Sequence, residues 1–362
     1  MFGSIVSEDF YHAYSYTTTA ISTVSNALLI YILLATHVVH VGPYRYLLLT
    51  FSIVDVIISF VHLALIPAIH MTKFGYIYWG YRFLRESTAV GVWAGLTWVL
   101  LFYQTFVLLA FHYVYRYVML CSPEWLSWFR RRPWRNWLIV TFVADVIFVG
   151  GIFLACLFGF VPTDVSRKAF APVLRKVYNI DLFASNAPGF LGIVYWTINE
   201  KGQKQWIPFS LFIIGCVCFL FFTTALIMLA CIMQIFKELR ASRFANLAPA
   251  TKRMQKQLFR TLLWQTVIPC ITSYTPLAMV FLVPLTGIPL GGFGTVFIMS
   301  TALFPMLDPY IVIFLISGYR KALIGLLANV IKPTLGQASH QVARPFTDTN
   351  SQITTMNRAS YA

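Results

Sequence analysis

Seven apolar runs divide the chain, near residues 13–36, 44–69, 88–115, 136–160, 207–235, 258–284 and 290–316. Each offers about 20 or more residues, the helical length needed to cross roughly 30 Å of hydrocarbon. No segment alternates at period two, so the pattern predicts an all-α integral membrane protein and excludes a β-barrel. Aromatic residues stand at several ends of the runs, among them Tyr44, Tyr46, Trp79, Trp137 and Trp206, where a membrane interface favours them. Past the seventh run, Gly318–Val330 has the spacing of a short amphipathic helix lying on the membrane surface. Tyr319, Leu323, Leu326, Leu327 and Val330 are expected to face lipid, with Arg320 and Lys321 reaching headgroups. One domain is expected over 1–330. Residues 331–362 are polar and rich in Ser and Thr, and predict a disordered cytoplasmic tail.

Composition supports the bilayer: 59% of residues are hydrophobic and 11% charged, against about 25% charged in a soluble domain. The net charge of +15 points to nucleic acid only if the basic residues share a soluble face, and they do not. Eighteen of the 27 lysines and arginines fall on the side of the loops 37–43, 116–135 and 236–257, and nine on the opposite side. That bias places the N-terminus outside and the basic loops in the cytoplasm, against anionic lipid. The first run lacks a basic leader and cleavage site and reads as an uncleaved anchor. The six cysteines provide no paired extracellular set, so no structural disulfide is expected.

Polar residues inside apolar runs need a reason, since an acid at mid-bilayer costs about 2.5–3.5 kcal/mol. Asp55, Asp145 and Asp308 are the acids, with Gln104 and Gln265 at similar depth. They serve either as interhelical hydrogen-bond glue or as a polar cluster that changes partners between two conformations. His62 and His112 lack the converging ligands of a metal site, and no metal or other cofactor is expected. No run contains a lysine, which excludes a retinal Schiff base. Pro269 and Pro276, then Pro305 and Pro309, each remove a backbone donor and predict kinks or hinges in the sixth and seventh spans.

Four stretches carry a family resemblance. Gly42, Pro43, Tyr44, Arg45, Tyr46 and Leu47 open the second span, and His112, Tyr113, Val114, Tyr115, Arg116 and Tyr117 close the third. Met254 to Arg260, then Gln265 to Pro269, lead into the sixth. Phe304, Pro305, Met306, Leu307, Asp308 and Pro309 lie in the seventh, with Tyr319 and Arg320 beyond it. In this order they resemble the Str superfamily of nematode serpentine chemoreceptors, the Str and Srj classes in particular, over roughly residues 10–330. The resemblance implies a G-protein-coupled receptor of sensory cilia that detects small environmental molecules. It also implies a distant similarity to rhodopsin-like receptors, with departures: Tyr115 stands where they carry an acid, Val312 replaces their tyrosine, and residues 161–206 lack their cysteine.

The expected protein is therefore a receptor and not an enzyme. A ligand in the outer half of the bundle would shift a two-state equilibrium by its differential affinity. Candidate ligand contacts are His62, Trp93, Thr97, Phe212, Tyr274 and Phe297, a mainly aromatic set suited to a small, neutral, volatile or weakly polar molecule. Candidate coupling residues towards a heterotrimeric G protein are Arg116, Tyr115, Tyr117, Asp308, Pro309, Asp55, Gln265 and Pro269. The rival readings are a ligand-gated channel or transporter, and a seven-helix metal hydrolase using His62, His70 and Asp55.

Overall fold

The computed structural model of the chain describes residues 5–35, 44–83, 86–184, 187–241 and 248–328. Seven of its helical spans are long and apolar enough to cross a membrane. They are α1 (Glu8–Ala35), α2 (Tyr44–Leu65), α3 (Thr88–Cys121), α5 (Pro133–Gly159), α7 (Pro208–Arg240), and two compound spans, Pro249–Thr286 and Phe293–Leu315. Between them lie α4 (Pro123–Arg131) and α6 (Asp164–Tyr178), and residues 317–328 form α12. None of the six cysteines is in a disulfide. The proposed loop 37–43, Val330 and the 331–362 tail lie outside the described residues.

Prolines explain why the last two spans are compound. The sixth consists of α8 (Pro249–Pro269), a π-helical turn at Cys270–Tyr274, and α9 (Thr275–Thr286). The seventh consists of α10 (Phe293–Thr301) and α11 (Leu303–Leu315), which meet at Ala302. A proline four residues on leaves a helical carbonyl without its donor. In hydrocarbon that carbonyl must find another. Pro276 frees the carbonyl of Thr272, and Ser300 donates to it at 2.7 Å. Pro309 frees the carbonyl of Pro305, which accepts from Asn26 Nδ2 at 3.0 Å and Ser22 Oγ at 3.2 Å. The prolines thus create the acceptors by which the seventh span is tied to the sixth and the first.

One end of the bundle carries a cap of strands where the apolar pattern predicts loops, and α2 ends at Leu65 and not at residue 69. Strands β1 (Pro67–Met71), β2 (Gly75–Gly80) and β3 (Leu191–Val194) form an antiparallel sheet in that order. The chain turns into β1 through Ile66, at φ 47°. A β-branched residue in the left-handed region is strained, and Ile66 is held there by burial against Tyr11 and Met299. Both sheet faces are buried. Ile69, Met71, Tyr76, Tyr78, Leu191 and Ile193 point into the bundle, while Ala68, Ile77, Trp79 and Val194 pack under Phe170 and Leu174 of α6. A sheet covered on both faces reads as a continuous apolar run, which hides the alternation. A second hairpin, β4 (Trp196–Ile198) with β5 (Lys204–Trp206), leads into α7.

The cap is fastened on every side. Met71 and Gly291 exchange two backbone hydrogen bonds of 2.9 and 2.8 Å, and Thr295 Oγ1 bonds the backbone of Ile69. Thr88 Oγ1 donates to the Ala187 carbonyl at 2.7 Å. Gly91 and Gly189 let the backbones of α3 and the segment before β3 touch, since a Cβ on Gly91 would lie 2.8 Å from Gly189 Cα.

At the opposite, basic end, α12 corrects an expectation. Tyr319 is buried, and Leu323 and Leu326 pack with it against Leu29, Tyr44 and Ile316. Ile324 and Leu327 are the apolar residues turned outward. α4 places Trp125 and Trp128 outward, while Phe129 stacks on Trp137 at 3.9 Å.

Candidate functional site

Below the cap, α3, α5, α7, α9 and α10 surround a cavity of about 90 Å³. A single water takes roughly 10–15 Å³ on that measure, so the space suits a small molecule and not a peptide. Ile69, Tyr76, Tyr78 and Leu191 form its roof. Trp98 and Phe102 from α3, Phe221 from α7, Phe281 from α9 and Phe297 from α10 supply an aromatic wall. Rings make up much of the packing: Trp98 stacks on Phe102 at 5.0 Å, and Tyr76 on Phe281 at 5.8 Å. Within this apolar surround, the Tyr78 hydroxyl and Trp98 Nε1 are buried donors with no protein acceptor. Such groups can orient a ligand that carries an acceptor.

Of the ligand contacts expected from the sequence, Phe297 lines this cavity. Tyr274 lies behind the wall, 4.2 Å from Phe106 and 6.2 Å from Phe221 between ring centroids. His62 lines a second cavity of about 20 Å³, with Thr18, Thr19 and Ser59, and its ring is 6.0 Å from Trp98. Trp93, Thr97 and Phe212 do not line either cavity. Trp93 is 56% and Phe212 65% exposed, and Thr97 bonds back to the Trp93 carbonyl on the same outward face. Trp98, on the other face of α3, occupies the place expected for Trp93. Helices apolar all round give no sequence signal of their rotation, which conceals Trp98 and Phe102, and Tyr78 belongs to a strand buried on both faces, where alternation is hidden as well.

The basic end holds a second constellation. Arg116 is buried, with its guanidinium 4.2 Å above the Tyr44 ring, and Nη1 donates to Gln255 Oε1 of α8 at 2.8 Å. Tyr44 OH and His112 Nδ1 are 3.1 Å apart. Tyr115 stacks on Tyr44 at 5.7 Å and lies 5.2 Å from Trp137, so it supports the arginine's platform where an acid would pair with it. Tyr117 packs on the opposite side, in the cluster containing Ile235. Tyr44 and Gln255 stand inside the family-like motifs, which was the available signal for them.

Further tethers hold the sixth span. Tyr113 OH meets Thr266 Oγ1 at 2.7 Å and donates to the Leu262 carbonyl at 3.1 Å. Gln265 Nε2 donates to Asp308 Oδ1 at 2.8 Å, and Ser317 Oγ donates to Gln257 Oε1 at 3.0 Å. Pro269 ends α8 at the π turn, just beyond these contacts, and Pro309 follows Asp308. Asp55 is fully buried, and neither carboxylate oxygen has a protein partner. Ser59 Oγ bonds the Asp55 carbonyl at 2.7 Å and shares a 2.8 Å contact with Ser22. Asp145 stands apart from both acids, paired with Gln104 Nε2 at 3.0 Å.

The hydrolase set does not assemble. His70 lies in the cap with Nδ1 3.0 Å from the Tyr178 hydroxyl, whereas His62 and Asp55 are in α2. Among the described residues no three histidine, cysteine or acidic side chains are grouped to hold a metal.

Known proteins resemble this chain in sequence. The chain is 26% identical over 304 residues to serpentine receptor class r-10 of Caenorhabditis elegans, covering 82% of this chain and 85% of that protein. It is 26% identical over 309 residues to the C. elegans G-protein coupled receptor str-33, covering 84% and 86%. Serpentine receptor class J-38 of the same organism is 23% identical over 311 residues, covering 83% and 88%. The model of the serpentine type 7TM GPCR chemoreceptor Str family matches residues 11–324, and with seven apolar spans around a capped aromatic cavity the chain belongs to that family of chemosensory G-protein-coupled receptors.

Proposed function

We propose that the receptor detects a small neutral molecule bound in the cavity under the cap, with the capped end outside the cell and the basic end facing a G protein. The observation that carries the reading is the cavity itself: a buried aromatic enclosure in which the hydroxyls of Tyr78 and Tyr103 and the indole N–H of Trp98 have no protein acceptor. No acid or lysine lines it, so a charged amine or carboxylate would lose its hydration without a counter-charge. Binding against Phe221, Phe281 and Phe297 couples to the sixth span, because Phe281 belongs to α9 and the π turn lies between it and the Gln255, Gln257 and Gln265 tethers. A ligand that favours a shifted α9 would release those tethers and open the basic end.

The test is a dose–response panel of neutral odorants, amines, carboxylates and peptides, read by calcium or cAMP at matched surface levels. Neutral compounds should activate, and Trp98→Ala or Phe297→Ala should raise the half-maximal dose at least tenfold, about 1.4 kcal/mol. Trp93→Ala, on the outward face, should leave it unchanged. Activation by permanently charged compounds alone would sink this reading.

A further inference from the structure

Among the described residues the cap closes the cavity off from water. Every residue of β1, β2 and β3 is buried, α6 covers the sheet's second face, and hydrogen bonds fasten the sheet to α10 and the loop between the sixth and seventh spans, and Ala187, ahead of β3, to α3. The wall differs from one side to another. α7 packs along α3 and α5, and α9 packs on α10, but the backbones of α7 and the sixth span approach one another only at isolated points. Between their capped-end halves the gap is bridged by side chains, Phe221 of α7 meeting Phe281 of α9 at 6.2 Å between centroids. Of the six half-buried cavity residues, four lie here, Phe221, Pro276, Leu277 and Phe281, the others being Val99 of α3 and Phe297 of α10. Cys218 lies one turn from Phe221, near Tyr195, whose hydroxyl donates to the Phe281 carbonyl at 3.0 Å.

We propose that ligands reach the cavity sideways from the bilayer, between α7 and α9, with Phe221 and Phe281 as the leaves of the entrance and Cys218 on its threshold. The proposal rests on the cavity being the ligand site. It follows from two costs. Passage through the cap breaks buried backbone hydrogen bonds, each leaving polar groups unsatisfied at about 1–3 kcal/mol. Passage between α7 and α9 crosses no hydrogen bond of the sheet and needs rotation of two aromatic side chains, beside the single Tyr195 hydroxyl bond to the Phe281 carbonyl. The ligand class narrows accordingly to compounds that partition into lipid, since the concentration offered to the entrance is the one dissolved in the bilayer.

The experiment uses the full-length receptor in phosphatidylcholine vesicles and a neutral medium-chain alkyl diazirine as probe. Photolysis at increasing times after mixing, followed by mass spectrometry, measures how fast label appears on Phe102, Val217 and Phe297. Cys218→Trp, which lies outside the cavity wall, should slow labelling by about tenfold and leave the final level within about twofold, since a barrier alters both rates alike. Phe281→Ala, judged by rate alone, should accelerate it. A T88C/A187C disulfide clamps the cap to α3, and its oxidised and reduced forms should label at equal rates. Slower labelling in the oxidised form, with Cys218→Trp and Phe281→Ala both at the parental rate, would overturn the side entrance in favour of the cap. Absence of wall label in the parent receptor at any time would overturn the ligand-cavity reading, and this route with it.

Discussion

Ser300 Oγ of the seventh span donates at 2.7 Å to the carbonyl of Thr272 in the sixth, the acceptor that Pro276 leaves without its helical donor. The same hydroxyl lies 2.6 Å from the Phe297 carbonyl of its own helix, so one proton is shared between two acceptors. This contact joins the π turn to α10 at the level where the cavity ends and the tethers of the basic end begin. A buried carbonyl deprived of its donor costs about 1–3 kcal/mol. Ser300→Ala should therefore lower the thermal midpoint of purified receptor by several degrees, while Ser300→Thr keeps it. Combined with Pro276→Ala, which restores the backbone N–H, the loss should shrink, and a full loss in the double variant would show the Thr272 bond to be incidental.

Gln255 should set basal activity. It accepts from Arg116 across the α3–α8 junction, and the arginine's remaining support is the Tyr44 ring. Gln255→Leu removes the tether and should raise ligand-independent signalling. Gln255→Glu replaces a one-charge hydrogen bond by an ion pair that can accept from the guanidinium through both oxygens, and should lower it. Arg116→Ala should retain surface expression and lose signalling. Matched basal cAMP in all three, at equal surface levels, would remove the junction from the switch.

The Gln104–Asp145 pair should behave as glue. Asp145→Leu leaves Gln104 without its acceptor and should destabilise the receptor by about 1–3 kcal/mol. Gln104→Leu with Asp145→Leu removes both polar groups and should recover most of that loss in a thermal melt. Signalling at matched expression should not change in the double variant, because neither residue touches the cavity or the tethers of the sixth span.

The cap should loosen in acid. Burial pushes the His70 imidazole down from 6.5 to about 4. Between those values the unfolded strand binds a proton that the folded strand refuses. His70 therefore favours a closed cap fully above about pH 6.5, and that contribution is lost progressively as pH falls towards 4. Protection factors across residues 67–80, taken relative to the intrinsic exchange rate at each pH, should fall between pH 7 and pH 5, and His70→Phe should abolish that fall. Equal pH dependence in the variant would assign it to another group.

The sequence by itself determined the spans, because the cost of exposing backbone and charge to hydrocarbon is read off length and composition without knowing any neighbour. It also marked Asp308, Gln265 and Arg116, since polar groups in apolar runs must have partners, and it placed the prolines where the sixth and seventh spans break. What it left open is which side each residue faces. Trp93 and Trp98 are equally apolar neighbours in one run, and only packing against α7 and the cap turns Trp98 inward and Trp93 outward. The sheet of the cap was hidden for the same reason: with α6 on one face and the bundle on the other, both faces are apolar and no alternation survives. Partners were equally illegible, because the acceptors that Ser300, Ser22 and Asn26 reach are carbonyls set free by prolines on other helices. A span's existence is a property of one segment in a solvent, whereas its rotation and its hydrogen-bond partners belong to the assembled bundle.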